Sequence, residues 1–463
     1  MGLGTIDLER LVKRAIQELS ASKNYAGGSG VFETVDEAVE AARIAQKELV
    51  KLSLSQRNGL IRAMREAAKE NVELIAKMAW EETGLGRYED KVLKNILAIE
   101  KTPGIEDLQA QVHTGDGGLT LTELSPYGVI GAITPMTNPT ATIICNSIGM
   151  IAAGNSVVFS PHPNAKNCSR TLIEILNRAI VQAGGPNNLL TATATPSIQS
   201  ANEMMQHPTV SMIVATGGPG VVKTALSTGK KAIGAGAGNP PALVDTTANL
   251  EKAAADIING CGFDNNVLCI AEKEVIVVES VADLLIHYMK QLPVYHLTDK
   301  ALLDQLVSIM VNENGAPNKK FVGKNANVLL KEIGIEADSS LRVIIVETKK
   351  DHPFVQEEML MPILPIVRVK DVDEGIDLAV ELEHGNRHTA IMHSRDVDNL
   401  TKCAKAIQTT IFVKNAPSYA GLGFGGEGHT TMTVAGPTGE GITSAKSFAR
   451  TRRCVLGGGF SIK

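Results

Sequence analysis

Apolar residues recur at helical spacing from the start of the chain. Leu8, Leu11, Val12, Ala15, Ile16 and Leu19 fall on one face of residues 6–19, with Arg10, Lys13, Arg14, Gln17 and Glu18 mostly opposite, which predicts a short amphipathic helix. Residues 20–30 (SASKNYAGGSG) have linker composition, so this helix is either docked on the body of the protein or presented to a partner groove. The pair Thr34 and Glu37 forms a T-x-x-E capping pattern that opens a helix near Asp36 to Lys51, and a second long helical pattern runs from about Ser55 to Glu82. Strand-like segments follow at 128–134, 156–160, 189–192, 211–215 and 242–244. They alternate with helix-like ones at 140–153, 165–183, 198–206 and 219–228. Such alternation predicts βαβ crossovers and a largely parallel sheet, with ligands at the carboxyl ends of its strands. A further series (helices near 250–259, 281–291 and 299–312; strands at 274–278, 343–347 and 364–369) is enough for a second α/β unit.

The segment from Leu124 to Ala165 contains no Asp, Glu, Lys or Arg, yet Pro126, Pro135, Pro139, Gly149 and the Gly154–Asn155 turn cut it into strand and helix lengths. It reads as buried α/β structure, and no membrane span is expected. The 463 residues, about three times the modal domain length, imply more than one core. Glycine is plentiful and aromatic residues are few, which points to aliphatic cores with many sharp turns. A net charge of −5 disfavours general nucleic-acid binding but leaves local anion sites open. The six cysteines are scattered, as for reduced thiols, and the charges among residues 7–18 exclude a secretory h-region.

Cys269 lies after a polar Asn265-Asn266 turn and before a strand, where a loop can hold a thiol at a cleft floor. Taken alone it reads equally as a buried structural cysteine, and Asn138 as a turn residue before Pro139. Thr216-Gly217-Gly218-Pro219-Gly220 follows a strand and opens a helix whose N–H groups suit a pyrophosphate, although Gly-rich turns commonly only turn. His384, His388 and His393 raise a metal site, but Gly385-Asn386 breaks a helix and 390–392 reads as a strand, so no metal is expected.

Three segments resemble the aldehyde dehydrogenase superfamily in its own order: Gly128 to Pro139 (GVIGAITPMTNP), Ala153 to Phe159 (AGNSVVF) and Glu357 to Pro365 (EEMLMPILP), with Cys269 between the last two. The resemblance implies a Rossmann-type cofactor domain, an α/β catalytic domain and a small β oligomerisation element. It implies Cys269 as nucleophile, with a lowered thiol pKa. Asn138 becomes the oxyanion donor. Thr134, Pro135, Ser160, His162, Thr216, Gly217, Gly218, Gly220, Gly236 and Glu358 become the cofactor-binding residues. Where water-using members carry a catalytic Glu, this chain has Ile233 to Pro241 (IGAGAGNPP) without a carboxylate, and the segment resembles the CoA-acylating branch, with NAD as cofactor and coenzyme A as co-substrate. Glycines there are expected to let pantetheine approach the backbone.

Further likeness in Ser160 to Pro163, Phe412 to Asn415, Gly425 to Gly428 and Arg452 to Leu456 points to the members that serve bacterial microcompartments. That implies a short aldehyde, propionaldehyde before acetaldehyde. It makes residues 6–19 an address for a shell protein and the enzyme a dimer or tetramer. The implied division is 1–20 address, 21–30 linker, 31–233 cofactor domain with 115–124 in oligomerisation, 234–415 thiol domain, and 416–463 returning to the cofactor domain and a terminal strand. The alternatives are a hydrolytic enzyme with a carboxylate from elsewhere and a catalytically silent microcompartment component.

Overall fold

The computed structural model describes residues 30–462, so the amphipathic segment 6–19 and most of its linker lie outside the described residues. The first helix, Val35–Leu49, starts as the T-x-x-E pattern predicts: Thr34 Oγ1 accepts from the Glu37 N–H while the Glu37 carboxylate accepts from the Thr34 N–H. The long pattern near 55–82 is two helices, Leu54–Glu70 and Val72–Thr83, not one. Asn71 breaks it, turning its side-chain amide onto the Ala67 carbonyl at 2.8 Å in competition with the backbone ladder. A helix at Tyr88–Lys101 went unpredicted because its inward face carries Asp90, Lys91, Lys94 and Asn95 beside Leu97, Ala98 and Ile99, which blurs the apolar period.

The first sheet is six-stranded and all parallel, in the order β1 (Val31–Phe32), β6 (Leu190–Thr193), β5 (Ser156–Pro161), β4 (Val129–Thr134), β7 (Val210–Thr216), β8 (Lys231–Ala235). From β4 the chain winds outward through β5 and β6, then crosses back to lay β7 on the other side of β4. That reversal opens a crevice at the carboxyl ends of these strands. The uncharged stretch is accounted for here, since β4, β5 and every residue of the helix Pro139–Ala152 between them are buried. Asn155 closes the turn: its Oδ1 accepts from the N–H groups of Tyr127 and Gly128, and its Nδ2 donates to the carbonyls of Met150 and Phe448.

A second parallel sheet has seven strands, in the order β11 (Val294–His296), β12 (Val343–Glu347), β13 (Ile363–Val369), β10 (Glu274–Val278), β9 (Pro241–Val244), β14 (Thr389–His393), β15 (Ile411–Lys414). The boundary expected after residue 233 cuts through β8, which stays hydrogen-bonded to β7 as far as Ala235; the change of sheet falls between Ala235 and Pro241. One apolar cluster joins both units, from Leu60 and Ile143 to Ile257, Val275 and Ile345. A third sheet is antiparallel, with β3 (Gly118–Pro126) between β2 (Gln111–Gly115) and β18 (Ala449–Gly457), and a hairpin pairs β16 (Val434–Ala435) with β17 (Gly441–Ile442). Among the described residues no helix is long and apolar enough to cross a membrane.

Candidate active site

The crevice at the ends of β4, β5, β7 and β8 is a cavity of about 480 Å3, closed on its far side by residues from the loops that lead into the second sheet. Thr134, Pro135 and Asn138 line it from the end of β4, Ser160 and His162 from the end of β5, Thr216, Gly217 and Gly218 from the end of β7, and Gly236 from the end of β8. Cys269, Glu358 and His388 face them. Eleven of the twelve expected site residues therefore share one cavity. Gly220 does not: it sits inside the helix Pro219–Leu226, whose N-cap is Gly218.

The loop that carries Cys269 is built from left-handed backbone. Asp264, Asn265 and Asn266 have φ of 48°, 53° and 65°, a run that Asn and Asp tolerate better than other side chains. Their side chains hold it. Asp264 accepts from the Arg87 N–H at 2.7 Å and from the buried ammonium groups of Lys91 and Lys94. Asn265 accepts from Arg87 Nε and donates to the Gly323 carbonyl. Asn266 donates to the Cys261 and Glu272 carbonyls, and Lys273 Nζ donates to Asn266 Oδ1, to the Asn266 carbonyl and to the Leu268 carbonyl. Gly86 is obligatory beside it, because a Cβ there would stand 1.9 Å from Asp264 Oδ1.

Asn138 is the N-cap of the helix Pro139–Ala152, but its side chain does not cap. Its Oδ1 accepts from Lys94 Nζ at 2.5 Å, and its Nδ2 donates to Thr137 Oγ1 at 3.3 Å.

The expected low pKa of Cys269 is overturned. Burial and the Glu358 carboxylate push the thiol up to about 12, against a smaller downward pull from Lys273, its own backbone N–H and Lys94. Glu358 is itself raised to about 7 by burial, offset by Lys273 and by the Gly238 N–H, which donates to it at 3.4 Å. His388 is lowered to about 4 by burial and by Lys273; its Nδ1 pairs with Thr389 Oγ1, while its Nε2 has no hydrogen-bond partner among the described residues. Thr134 Oγ1 is likewise buried and unpaired. Two unpaired polar atoms in the wall and the free N–H end of a helix at Gly218 suit a polar, phosphate-bearing ligand, so the residues present fit a nicotinamide dinucleotide.

The glycine segment behaves differently from expectation at one position. At Gly236 an added Cβ would meet nothing within 4 Å, which leaves room for a ligand, whereas at Gly238 it would stand 2.7 Å from the Cys269 carbonyl oxygen and 2.9 Å from the His388 ring. Gly238 is small so that protein can pack on protein. Sequence reading missed Lys94, Asp264 and Lys273, and considered His388 only as a metal ligand. The D-N-N run was the one available signal for the loop geometry.

The sequence profile of the Aldehyde dehydrogenase family matches residues 28–448. A propanal dehydrogenase (CoA-propanoylating) of Citrobacter freundii is 48% identical over 463 residues, covering 100% of both chains. The structure of Rhodopseudomonas palustris propionaldehyde dehydrogenase with bound CoA and an acylated cysteine is similar at a TM-score of 0.92 and 59% identity, over 93% of this chain and 99% of that one. A propionaldehyde dehydrogenase from the Clostridium phytofermentans fucose utilisation bacterial microcompartment gives a TM-score of 0.92 at 51% identity, over 94% and 100%.

Proposed function

Since the chain belongs to the aldehyde dehydrogenase family, we propose that it oxidises a short aliphatic aldehyde, propionaldehyde before acetaldehyde, to the acyl-CoA thioester with NAD as oxidant. The observation that carries this reading is the position of Cys269, Asn138 and His388 around one cavity whose glycine wall lacks a carboxylate. Cys269 loses its proton to solvent, its sulfur bonds to the aldehyde carbon, and the carbonyl π pair passes to the oxygen, which becomes negative. The Asn138 NH2 stabilises that oxygen. The bound nicotinamide supplies the hydride acceptor. Thr134, Ser160, Thr216 and Gly218 at the strand ends would hold the dinucleotide, and Glu358 would accept from its ribose. The resulting Cys269 thioester is then attacked by the CoA thiol, which gives up its proton to His388 Nε2, and the acyl group leaves on CoA as Cys269 is freed.

A hydrolytic reading has one observation in its favour, since Glu358 lines the same cavity and is held near neutrality, as a water-activating base would be. Product analysis with NAD saturating separates the two. Acyl-CoA formed only with CoA present, and lost in Cys269→Ala, is expected; free acid at an undiminished rate without CoA would overturn the reading.

The relative from a microcompartment supports a place in a microcompartment lumen, and the amphipathic pattern of residues 6–19 followed by a linker supports that segment as the part that binds a shell protein. The third sheet supports a homo-oligomer: its Val112, Val455 and Leu456 are exposed in the single chain.

A further inference from the structure

We propose that Lys94 is a positioning residue that sets the oxyanion donor, its ammonium taking the Asn138 side-chain oxygen so that the amide NH2 is turned toward the carbon bound to Cys269. The inference rests on the reading above. Lys94 and Asn138 are both buried, at 3% and 7% exposure, and Lys94 Nζ lies 2.5 Å from Asn138 Oδ1. An ammonium has donors only, so the atom facing it must be the amide oxygen and the NH2 must face away. One of those hydrogens goes to Thr137 Oγ1, which lines the cavity, and the other remains for a reacting oxygen. A charged donor on the oxygen also polarises the amide and strengthens its N–H bonds.

Local charge balance does not require Lys94, because Lys91 Nζ already stands 3.2 Å from the same Asp264 carboxylate. What the second lysine adds is a tie. Asp264 begins the left-handed run leading to Cys269, so one ammonium bridges the nucleophile's loop and the oxyanion donor. The helix Tyr88–Lys101 that presents it is aligned by a second bond, Thr140 Oγ1 to Asn95 Oδ1 at 2.9 Å, to the very helix that Asn138 begins.

A double-mutant cycle on the full chain tests the proposal, with NADH and acyl-CoA formation as readouts. Wild type and Cys269→Ala are measured first, and acyl-CoA formation surviving in Cys269→Ala would sink the parent reading without reference to Lys94. Lys94→Met is expected to lower kcat by about 10–100-fold, part of the 10²–10³ associated with losing an oxyanion donor, with the aldehyde KM changed far less. In an Asn138→Ala background the same substitution should cost less than about twofold, because its route of action is gone. Equal losses in both backgrounds, or a loss below about twofold in wild type, would refute the proposal. Lys94→Gln, in which Lys91 still neutralises Asp264, should give an intermediate loss and the same background dependence. Should Lys94→Met not accumulate folded, the cycle with Lys94→Gln decides by the same criteria.

Discussion

Burial and the neighbouring Glu358 carboxylate raise the Cys269 thiol, so at pH 7 the nucleophile of the free enzyme is held mainly in its protonated form. Only the thiolate reacts with iodoacetamide. The rate of Cys269 alkylation should therefore climb about tenfold per pH unit from pH 7 to 10, and a plateau near the ordinary thiol value of about 8.5 would contradict the site electrostatics. Because Glu358 is ionised above about 7 and its charge opposes that of the thiolate, Glu358→Gln should be alkylated faster than wild type at pH 8 and above. At this scale the sequence was enough to bring together residues bound to a motif, since Cys269, Asn138 and Glu358 line one cavity. It was not legible where function depends on burial. Lys94 and Lys273 look like ordinary surface lysines in sequence, and only the fold shows that one meets an amide oxygen and the other three oxygens of a turn. The sign of the Cys269 shift was missed for the same reason, since desolvation, its largest cause, has no counterpart in a residue pattern.

The elements that matter most to the site are irregular ones. The strands read from the sequence lie within a residue or two of the observed ones, because strands buried on both faces of a parallel sheet read as short continuous apolar runs; β8, β11 and β15 and the helices Val372–Leu382 and Val397–Ile407 were not among the elements expected. The helix Tyr88–Lys101 escaped because it spends its inward face on ion pairs, and the break at Asn71 escaped because a single asparagine inside a helical pattern carries little weight. The segment 236–240 shows how tight the irregular parts are. Gly238→Ala would push against the Cys269 carbonyl and the His388 ring at once, with backbone on one side and a buried ring on the other. A cost of about 1–3 kcal/mol in stability is expected from overpacking. Thermal melts together with acyl-CoA assays should show a stable, folded protein whose acyl transfer is impaired more than its stability; full activity in the variant would mean that the contact is slack.

At the scale of the whole molecule, the chain is a cleft between two parallel sheets with a third, antiparallel sheet standing apart. The two sheets were foreseen and their division was not: β8 belongs with β7 although its sequence, rich in Gly and Ala, resembles the segment that follows it. Two deletions test the outer parts. A chain without residues 1–20 should keep its turnover and lose co-purification with shell protein, and retained encapsulation would refute the address. A chain cut before Ala449 loses β18, the partner of β3 along its length, and should run as a smaller species by light scattering; an unchanged mass would move the subunit interface elsewhere.

The five residues between β8 and β9 are the crossing from one wall of the cleft to the other, and they are tied at several points: Gly236 and Ala237 on the cavity, Gly238 on the Cys269 loop, and the Asn239 amide on the carbonyls of Val355 and Leu382. Each added or removed residue changes the reach of such a span by up to about 3.3–3.6 Å, as large as the separation of atoms about to react. This segment works as a spacer, so an insertion or deletion among residues 236–240 is expected to move Gly238 off the Cys269 loop and to cost activity whatever residue is added or removed.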